Sequence, residues 1–145
     1  MILETETHSP TETESLAADF ANQFLRPGDC LALDGDLGAG KTQFVRGLVT
    51  GLGGIPRAVS SPTFVLLNVY PTPKFTVYHL DAYRVTSSQD FESIGFPELL
   101  QQNQIVVVEW ASRIARLLPT RYFAVEFQVL SETDRRITIE RIGPE

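Results

Sequence analysis

The stretch that decides the fold is Gly35-Asp36-Leu37-Gly38-Ala39-Gly40-Lys41-Thr42. It matches the G-x-x-x-x-G-K-[ST] pattern of a phosphate-binding P-loop. The apolar run at residues 30–33 precedes it and predicts a short buried strand. The residues that follow place four apolar side chains on one helical face: Phe44, Val45, Leu48 and Leu52. A strand, a glycine-rich turn and a helix are the context that this motif requires, so the segment predicts nucleotide binding.

The residue types of the loop indicate how phosphate would be bound. Glycines permit backbone angles and close approaches that a Cβ would block, so successive N–H groups can point at phosphate oxygens. The helix N-terminus adds unsatisfied N–H groups and the positive end of its dipole. Lys41 is predicted to reach the β- and γ-phosphates, and the Thr42 hydroxyl to ligate Mg²⁺. The predicted nucleotide-binding residues are Asp36, Leu37, Gly38, Ala39, Gly40, Lys41, Thr42 and Gln43.

Composition limits the class of protein. A chain of 145 residues with 43% hydrophobic content predicts one domain, residues 1–145, with a single core. No apolar run is long enough to cross a bilayer, and the acidic, Thr-rich N-terminus lacks the pattern of a signal peptide. These features predict a cytoplasmic protein. The net charge of −6 argues against autonomous binding of tRNA or DNA, because Lys and Arg contacts to phosphate dominate nucleic-acid affinity.

The chain outside the P-loop reads as alternating helices and strands. Thr11 and Glu14 form a capping-box pattern at the start of a helix that ends near residues 26–28. Residues 64–70 and 75–80 predict an antiparallel hairpin, because apolar strands flank a Pro-containing turn.

The second half of the chain predicts the centre and one margin of a sheet. The β-branched run at residues 105–108 is typical of a strand buried on both faces. Short helices are predicted at residues 89–94, 96–100 and 111–118, and a C-terminal hairpin at residues 122–130 and 136–142. The fold class predicted is α/β, a P-loop NTPase-like layered fold with a mostly parallel central sheet flanked by helices and with antiparallel hairpins at the margins.

Two carboxylates follow predicted strands and are candidates for catalysis. Glu109 ends the β-branched run, the strand-then-acid pattern of a Walker B element, and ligand sites in α/β sheets lie at the carboxyl ends of strands. Thr42, Glu109 and nucleotide phosphates would suit Mg²⁺, which favours a few oxygen ligands. Asp81 follows another strand, where it could contact a water of the metal shell, orient the attacking water, or anchor Tyr83 and Arg84. The pattern leaves open whether Asp81 or Glu109 positions the attacking water.

Neighbouring residues have weaker signals. Thr63 lies in a Ser-Pro-Thr loop and is a candidate for a switch threonine that senses the γ-phosphate. Arg84 would either neutralise phosphate charge or form a structural ion pair. His79 is interpreted as a packed or hydrogen-bonded strand residue, because phosphoryl transfer needs positioning and charge neutralisation more than a base. Trp110 would either stack near the site or fill the core, and the core interpretation is favoured.

Several segments together resemble one family. They are the P-loop, Phe44-Val45-Arg46-Gly47-Leu48, Ser61-Pro62-Thr63-Phe64, Tyr78-His79-Leu80-Asp81-Ala82-Tyr83-Arg84 and Val108-Glu109-Trp110, in this order. The combination resembles the TsaE (YjeE) family of small bacterial P-loop ATPases over nearly the whole chain. A P-loop alone is shared with many families, whereas the combination with Ser-Pro-Thr-Phe and His-x-Asp-x-Tyr-Arg is far more specific.

The resemblance implies an activity and partners. It implies ATP and Mg²⁺ as cofactors and a role in the threonylcarbamoyl modification of adenosine 37 in tRNA, with hydrolysis acting on a complex of TsaB and TsaD. Contact with tRNA would be indirect, through that complex, and neither a membrane nor DNA is expected as a partner. Family resemblance further implies that Thr42 and Glu109 hold Mg²⁺, that Asp81 matters for turnover, and that adenine lies between Thr11 and Arg135.

The chain departs from the family pattern at two places. Many relatives have a second Thr or Ser after the residue that corresponds to Thr42, where this chain has Gln43. Relatives often continue Glu-Trp with Pro-Glu, where this chain has Ala111-Ser112. A role for a second hydroxyl or a second glutamate at these positions is therefore absent here.

Three other functions are compatible with a P-loop. A small-molecule kinase is disfavoured because residues 89–104 contain few basic side chains for a lid. A GTPase-like switch is disfavoured because the chain has no Asn-Lys-x-Asp segment to read guanine. A docking module that uses nucleotide only as a structural element stays open on the sequence.

Overall fold

The computed structural model describes residues 2–36, 38–59, 67–83 and 95–144. Some predicted features lie outside these residues, namely Leu37, Thr63, Arg84, the helix at residues 89–94 and the first part of the strand at residues 64–70. The helices are α1 (Pro10–Phe24), α2 (Lys41–Gly51) and α3 (Phe96–Leu100), with 3₁₀ turns at Pro56–Ala58 and Ala111–Leu117. The strands are β1 (Leu3–Thr7), β2 (Cys30–Asp34), β3 (Leu67–Pro71), β4 (Thr76–Asp81), β5 (Ile105–Glu109), β6 (Tyr122–Val129) and β7 (Arg135–Ile142).

The described strands form one seven-stranded sheet in the order β1-β7-β6-β2-β5-β4-β3. The four central strands, β6, β2, β5 and β4, are parallel to their neighbours within this group. The outer pairs β1–β7, β6–β7 and β3–β4 are antiparallel. This arrangement confirms the predicted α/β fold with a mostly parallel centre and antiparallel hairpins at its margins.

The core lies on both faces of the sheet, because the side chains of the central strands alternate. On β2, Leu31 and Leu33 pack in the cluster that α1 and α2 cover, whereas Cys30 and Ala32 pack in the cluster that includes α3. All five residues of β5 are buried, as its continuous β-branched run predicts. Burial raises the pKa of the Cys30 thiol to about 12, which fits a core residue without nucleophilic function.

Helix α1 begins earlier than the sequence pattern suggests, and Thr11 is not its cap. Ser9 is the N-cap, and its Oγ accepts from the Glu12 N–H at 3.1 Å. Glu12 in turn accepts from the His8 N–H at 3.1 Å. Both Ser9–Glu12 and Thr11–Glu14 fit the capping-box spacing, but Pro10 is suited to the first helical position and selects the earlier register.

Strand β1 is an element that the sequence analysis did not predict. It pairs antiparallel with β7, with Leu3 opposite Ile139 and Thr7 opposite Arg135. Its five residues contain a single large apolar side chain, so the alternation is too weak to read locally. The strand forms because β7 offers a free edge, which is tertiary information.

None of the helices in the described ranges has the length and apolar character needed to span a membrane.

Close packing of α1 on α2 depends on Gly47. A Cβ at this position would lie 2.2 Å from the Glu14 carbonyl oxygen and 2.7 Å from the Ala17 Cβ. We expect Gly47→Ala to lower the free energy of unfolding by at least about 2 kcal/mol, although alanine is the better helix former, because the helices must separate. Chemical denaturation followed by circular dichroism measures this change. Thr50→Ala, at an exposed position of α2, is the control and should stay within about 0.5 kcal/mol of the parent. Equal stability of both variants would contradict the prediction.

Candidate nucleotide site

The parallel register brings three carboxylates together at the carboxyl ends of the central strands, a region called the carboxylate edge below. Glu109 is opposite Leu33 of β2 and opposite Asp81 of β4, so β2, β4 and β5 end side by side. Asp34 ends β2 directly before the P-loop. The edge is the carboxyl end of the parallel strands, where ligands of open α/β sheets bind. The predicted pair Asp81 and Glu109 therefore lies beside the P-loop, together with Asp34.

Among the described residues, no side chain caps the N-terminus of α2. Its N-cap is Gly40, in a left-handed conformation with φ of 103°, whereas α1 is capped by Ser9. The first helical bond runs from the Phe44 N–H to the Gly40 carbonyl at 2.9 Å. The N–H groups of Lys41, Thr42 and Gln43 precede it and have no partner within the helix. This helix end is therefore suited to an anion, as a bound phosphate requires.

The loop before α2 is shaped by close backbone contacts. A Cβ on Gly35 would lie 2.8 Å from the Phe127 Cβ, and Gly38 has a φ of 78°. The Ala39 N–H donates to the Asp36 carbonyl at 3.0 Å, which closes a tight turn. Larger residues at either glycine would displace the loop, so the glycine pattern here reflects geometry as well as ligand access.

Lys41 is a buried cation surrounded by acidic groups. Its side chain is 5% exposed, and its ammonium donates to the Gly35 carbonyl. Burial lowers the pKa of Lys41, and Glu109 is the largest opposing influence, followed by Asp81 and Asp34. An ammonium at this position can exchange its backbone partner for a phosphate oxygen with little movement of the loop.

Both positions considered for Trp110 apply, because the residue packs against the core and also lies at the site. Lys41 Nζ lies 3.7 Å from the centroid of the Trp110 ring, a cation–π geometry. The ring also packs on Tyr83 with a centroid distance of 4.8 Å. Trp110 has a left-handed backbone, with φ of 59°, which turns the chain sharply after β5. Its ring is therefore both an edge of the core and a wall of the site.

A buried chain of hydrogen bonds leads from the sheet to Glu109. His79 Nε2 lies 2.5 Å from Glu109 Oε2, and His79 Nδ1 lies 3.1 Å from the Tyr70 hydroxyl. All three side chains are buried. His79 is thus a hydrogen-bonded strand residue, as interpreted from the sequence, and it holds one carboxylate oxygen of Glu109. The spacing of β3, β4 and β5 that creates this chain is tertiary and leaves no local sequence signal.

Asp81 is partly buried at the end of β4. Its Oδ1 accepts from the Tyr83 N–H at 2.8 Å, so it also anchors the turn after the strand. Burial raises the pKa of Asp81, the Tyr83 bond lowers it, and the like charge of Glu109 raises it further. The negative charge of Asp81 therefore lowers the stability of the folded protein, which is typical of a group retained for function.

We expect Asp81→Asn to raise the melting temperature at neutral pH. An Asp with a raised native pKa binds more protons folded than unfolded, so its ionisation costs stability, in full above the native pKa. The variant removes that cost. Its stability advantage should therefore be largest at neutral pH and shrink as the pH falls through the range in which Asp81 protonates. Thermal melts from pH 4 to pH 7.5 test this, and a constant difference across that range would contradict it.

A cavity of about 250 Å³ lies next to the loop. It is bounded by the start of α1, the P-loop and the β6–β7 turn, and its lining includes Gly38, Gly40, Gln43 and Arg135. The Arg135 guanidinium donates to the Gly38 carbonyl at 3.0 Å and to the Ser131 carbonyl at 2.7 Å. Arg135 therefore ties the hairpin turn to the P-loop at the place where the family resemblance puts adenine.

The structure does not bring Thr11 to this cavity. Thr11 is exposed in the first turn of α1, whereas Ser9, Pro10 and Thr13 line the cavity. Thr13 is buried, and its hydroxyl lies 2.8 Å from that of Thr7. The shift has the same origin as the shift of the helix cap, because the helix begins before Thr11 and turns its side chain outwards.

His8, which lines the cavity, pairs with Asp134 of the β6–β7 turn. His8 Nδ1 lies 3.0 Å from Asp134 Oδ1. The hydrogen bond to Asp134 raises the pKa of His8, and the same bond lowers the pKa of Asp134. The contact joins the segment before α1 to the β6–β7 turn at the protein surface.

Asp34 is a site residue that the sequence analysis did not single out. Its Oδ1 accepts from the Ser112 N–H at 3.1 Å, and its charge acts on Lys41. The signal is present, because Asp34 follows an apolar strand in the same way as Glu109. An acidic residue thus ends each of three neighbouring strands of the sheet.

The donor set suits a hard cation that keeps other ligands. Glu109 and the Thr42 hydroxyl offer oxygen atoms, which Mg²⁺ prefers. Across the described ranges, no group of three or more His, Cys, Asp or Glu side chains is arranged to hold a metal ion. A Mg²⁺ ion at this edge would therefore share its coordination between a few protein oxygens, nucleotide phosphates and water, as is usual for this metal.

Comparison with known proteins points to one family. The model for "Threonylcarbamoyl adenosine biosynthesis protein TsaE" matches residues 7–137. The tRNA threonylcarbamoyladenosine biosynthesis protein TsaE of Rickettsia prowazekii is 40% identical, over 92% of this chain and 92% of that protein. The TsaE protein of Bacillus subtilis is 38% identical, over 97% of this chain and 87% of that protein.

A solved structure is similar as well. The crystal structure of YdiB from Bacillus subtilis has a TM-score of 0.79 and 32% identity to this chain. The match covers 97% of this chain and 86% of the YdiB chain. The family model, the relatives and the fold agree with the order of motifs around the P-loop. The chain is a member of the TsaE family of threonylcarbamoyl adenosine biosynthesis proteins.

Proposed function

We propose that this protein is a Mg²⁺-dependent ATPase that serves the formation of threonylcarbamoyladenosine at position 37 of tRNA by acting on a complex of TsaB and TsaD. The observation that carries the ATPase is the uncapped N-terminus of α2 directly beside Lys41 and Glu109. Membership of the TsaE family carries the link to tRNA threonylcarbamoyladenosine biosynthesis. A cytoplasmic location follows from this proposal.

The geometry supports a role for each side chain. The N–H groups of the loop and of the first turn of α2 would bind the phosphates, and Lys41 would leave the Gly35 carbonyl to contact the β- and γ-phosphates. Thr42 and Glu109 would hold Mg²⁺, which when bound neutralises charge on the phosphate oxygens. His79 keeps the Glu109 carboxylate in one orientation, because it is buried and hydrogen-bonded on both ring nitrogens.

The acidic residues around Lys41 favour binding of a metal–nucleotide complex over binding of nucleotide alone. Four carboxylates influence Lys41, those of Glu109, Asp81, Asp34 and Asp36. A polyphosphate that entered without a cation would meet like charge at this edge, so metal and nucleotide should bind together. Adenine would occupy the cavity beside Arg135.

The isolated protein should hydrolyse ATP slowly. Among the described residues, Lys41 is the cation that lies near both the loop and the carboxylates, while Arg135 contacts the loop at Gly38 on the side of the cavity. Efficient phosphoryl transfer usually needs further positive charge on the transition state. A partner protein would complete the site. The net charge of −6 fits a subunit that leaves contact with tRNA to TsaB and TsaD.

The test is to measure Mg-ATP hydrolysis by the protein alone and with a TsaB–TsaD pair, using Lys41→Ala as the inactive control. Strong stimulation that the variant abolishes supports the proposal. No stimulation would reject the partner-dependent ATPase and favour a kinase or a docking module. Hydrolysis of ATP that is fast without partners would contradict the need for completion.

A further inference from the structure

A second polar cavity lies at the end of the sheet opposite to the P-loop. Its volume is about 260 Å³, and it is bounded by the end of α1, the turn before β2, the start of β6 and the end of β7. Asp29 lies in it at the amino end of β2, whereas the P-loop follows the carboxyl end. The five residues of β2 separate the two places by about 16 Å. A ligand in this cavity would not compete with nucleotide at the P-loop.

Three arginines line this cavity in a chain of net negative charge. They are Arg26, Arg121 and Arg141, all of them exposed. None of the salt bridges among the described residues involves any of the three. Each acts electrostatically on Asp29, which is the one carboxylate among the described residues that line the cavity, so their positive charges are directed to one region. The cavity thus has more positive than negative groups, in contrast to the protein as a whole.

The fold packs the guanidinium of one arginine on an aromatic ring and fixes the backbone that carries the other two. Arg141 is paired with Phe123 across β6 and β7, and its guanidinium carbon lies 5.2 Å from the centroid of that ring. The Arg26 N–H donates to Asp29 Oδ2 at 2.8 Å, which fixes the turn that carries Arg26. A Cβ on Gly143 would lie 2.1 Å from the Thr120 carbonyl oxygen, so glycine allows the end of β7 to pack on the chain beside Arg121.

We propose that this arginine cavity is an anion-binding site for phosphate groups, separate from the nucleotide site. Guanidinium groups have planar donor sets that match phosphate oxygens in pairs, and they are the preferred side chains for phosphate recognition. The inference does not depend on the proposed ATPase, because none of the residues that carry it belongs to the P-loop or to the carboxylate edge.

Phosphate fits the cavity better than a carboxylate. Asp29 already supplies one carboxylate, and the three arginines leave an excess of about two positive charges beside it. A phosphate monoester has a charge of about −1.5 to −2 at neutral pH, and two adjacent phosphodiesters have a similar total. Tyr122 also lines the cavity, and an aromatic ring is a surface on which a base can stack, which adds a nucleic-acid strand to the sources of phosphate.

The experiment uses the full chain with ADP and Mg²⁺ at saturation, so that the P-loop is blocked. The two probes are inorganic pyrophosphate, followed by calorimetry, and a fluorescent single-stranded oligoribonucleotide, followed by anisotropy. The variant Arg121→Gln/Arg141→Gln is compared with Arg57→Gln/Arg136→Gln, which removes the same charge elsewhere on the surface. An unchanged circular dichroism spectrum and melting temperature show that each variant is folded.

We expect the cavity variant to bind at least one probe about tenfold or more weakly, with the control variant close to the parent. The slope of log Kd against log salt should fall by about one to two. If the cavity variant loses affinity for pyrophosphate alone, the site is assigned to a small phosphorylated ligand. If it loses affinity for the oligonucleotide, the site is assigned to a nucleic-acid strand. The proposal is overturned if the parent binds neither probe, if both variants lose affinity equally, or if an oligoglutamate peptide binds the cavity when neither phosphate probe does.

Discussion

Replacement of Lys41 by alanine is expected to lower Mg-ATP hydrolysis by at least about a hundredfold. The Lys41 ammonium is buried at the N-terminus of α2 and is the cation positioned to contact the terminal phosphates. Without it, charge that develops on the phosphates during transfer lacks a fixed counter-charge, and a water molecule that fills the space replaces it poorly. Phosphate release under saturating Mg-ATP, with and without the TsaB–TsaD pair, measures the change.

The chain offers a matched control for this experiment. Its other lysine, Lys74, is exposed in the β3–β4 turn, so Lys74→Ala removes the same charge away from the site and should leave hydrolysis unchanged. Trp110, the one tryptophan of the chain, is in contact with Lys41, so we expect its fluorescence to report nucleotide binding. Hydrolysis by Lys41→Ala at the parent rate would refute the assignment of this P-loop to phosphoryl transfer.

Replacement of Glu109 by glutamine is expected to abolish the Mg²⁺ dependence of nucleotide binding and to lower hydrolysis by about a hundredfold or more. Glutamine keeps the shape of the side chain and can still hydrogen-bond to His79, so the fold should remain intact. It lacks the negative charge that a cation requires. The affinity for ADP is measured once in the presence of Mg²⁺ and once in the presence of EDTA. We expect the variant to bind ADP equally well under both conditions.

Two comparisons make this second prediction specific. Glu140→Gln, on β7 and away from the site, is the control and should retain the Mg²⁺ dependence. His79→Gln should reproduce part of the loss, about tenfold to a hundredfold, because His79 acts through the orientation of Glu109. If Glu109→Gln binds ADP more tightly with Mg²⁺ than with EDTA, as the parent is expected to, then Glu109 is not a metal ligand.

The central part of the fold could be predicted because its sequence signals are local. The apolar run at β2, the P-loop and the face of α2 specify a strand, a turn and a helix without reference to the rest of the chain. Strand β1 could not be predicted, because its pairing with β7 depends on an edge that only the assembled sheet provides. The start of α1 was ambiguous for another reason, since two overlapping capping patterns compete and Pro10 decides between them.

The candidate site was predictable where a residue type and its position on an element agree. Lys41, Asp81 and Glu109 follow from the P-loop and from acids at strand ends, and the register of the sheet brings them together. Contacts between elements were not predictable. The hydrogen bonds of His79 to Tyr70 and Glu109 join three strands, and the contact between Trp110 and Lys41 requires the positive φ of Trp110.

The hydrogen bond from Arg135 to Gly38 has a consequence for the edge of the sheet. Arg135 is the first residue of β7 and the partner of Thr7 in β1, while Thr7 is bonded to Thr13 on the wall of the cavity. The nucleotide cavity and the N-terminal edge strand thus share one set of contacts. We therefore expect nucleotide binding in this cavity and the docking of β1 to be thermodynamically linked: a bound nucleotide should stabilise the edge strand, and fraying of β1 should weaken nucleotide binding by the same free energy.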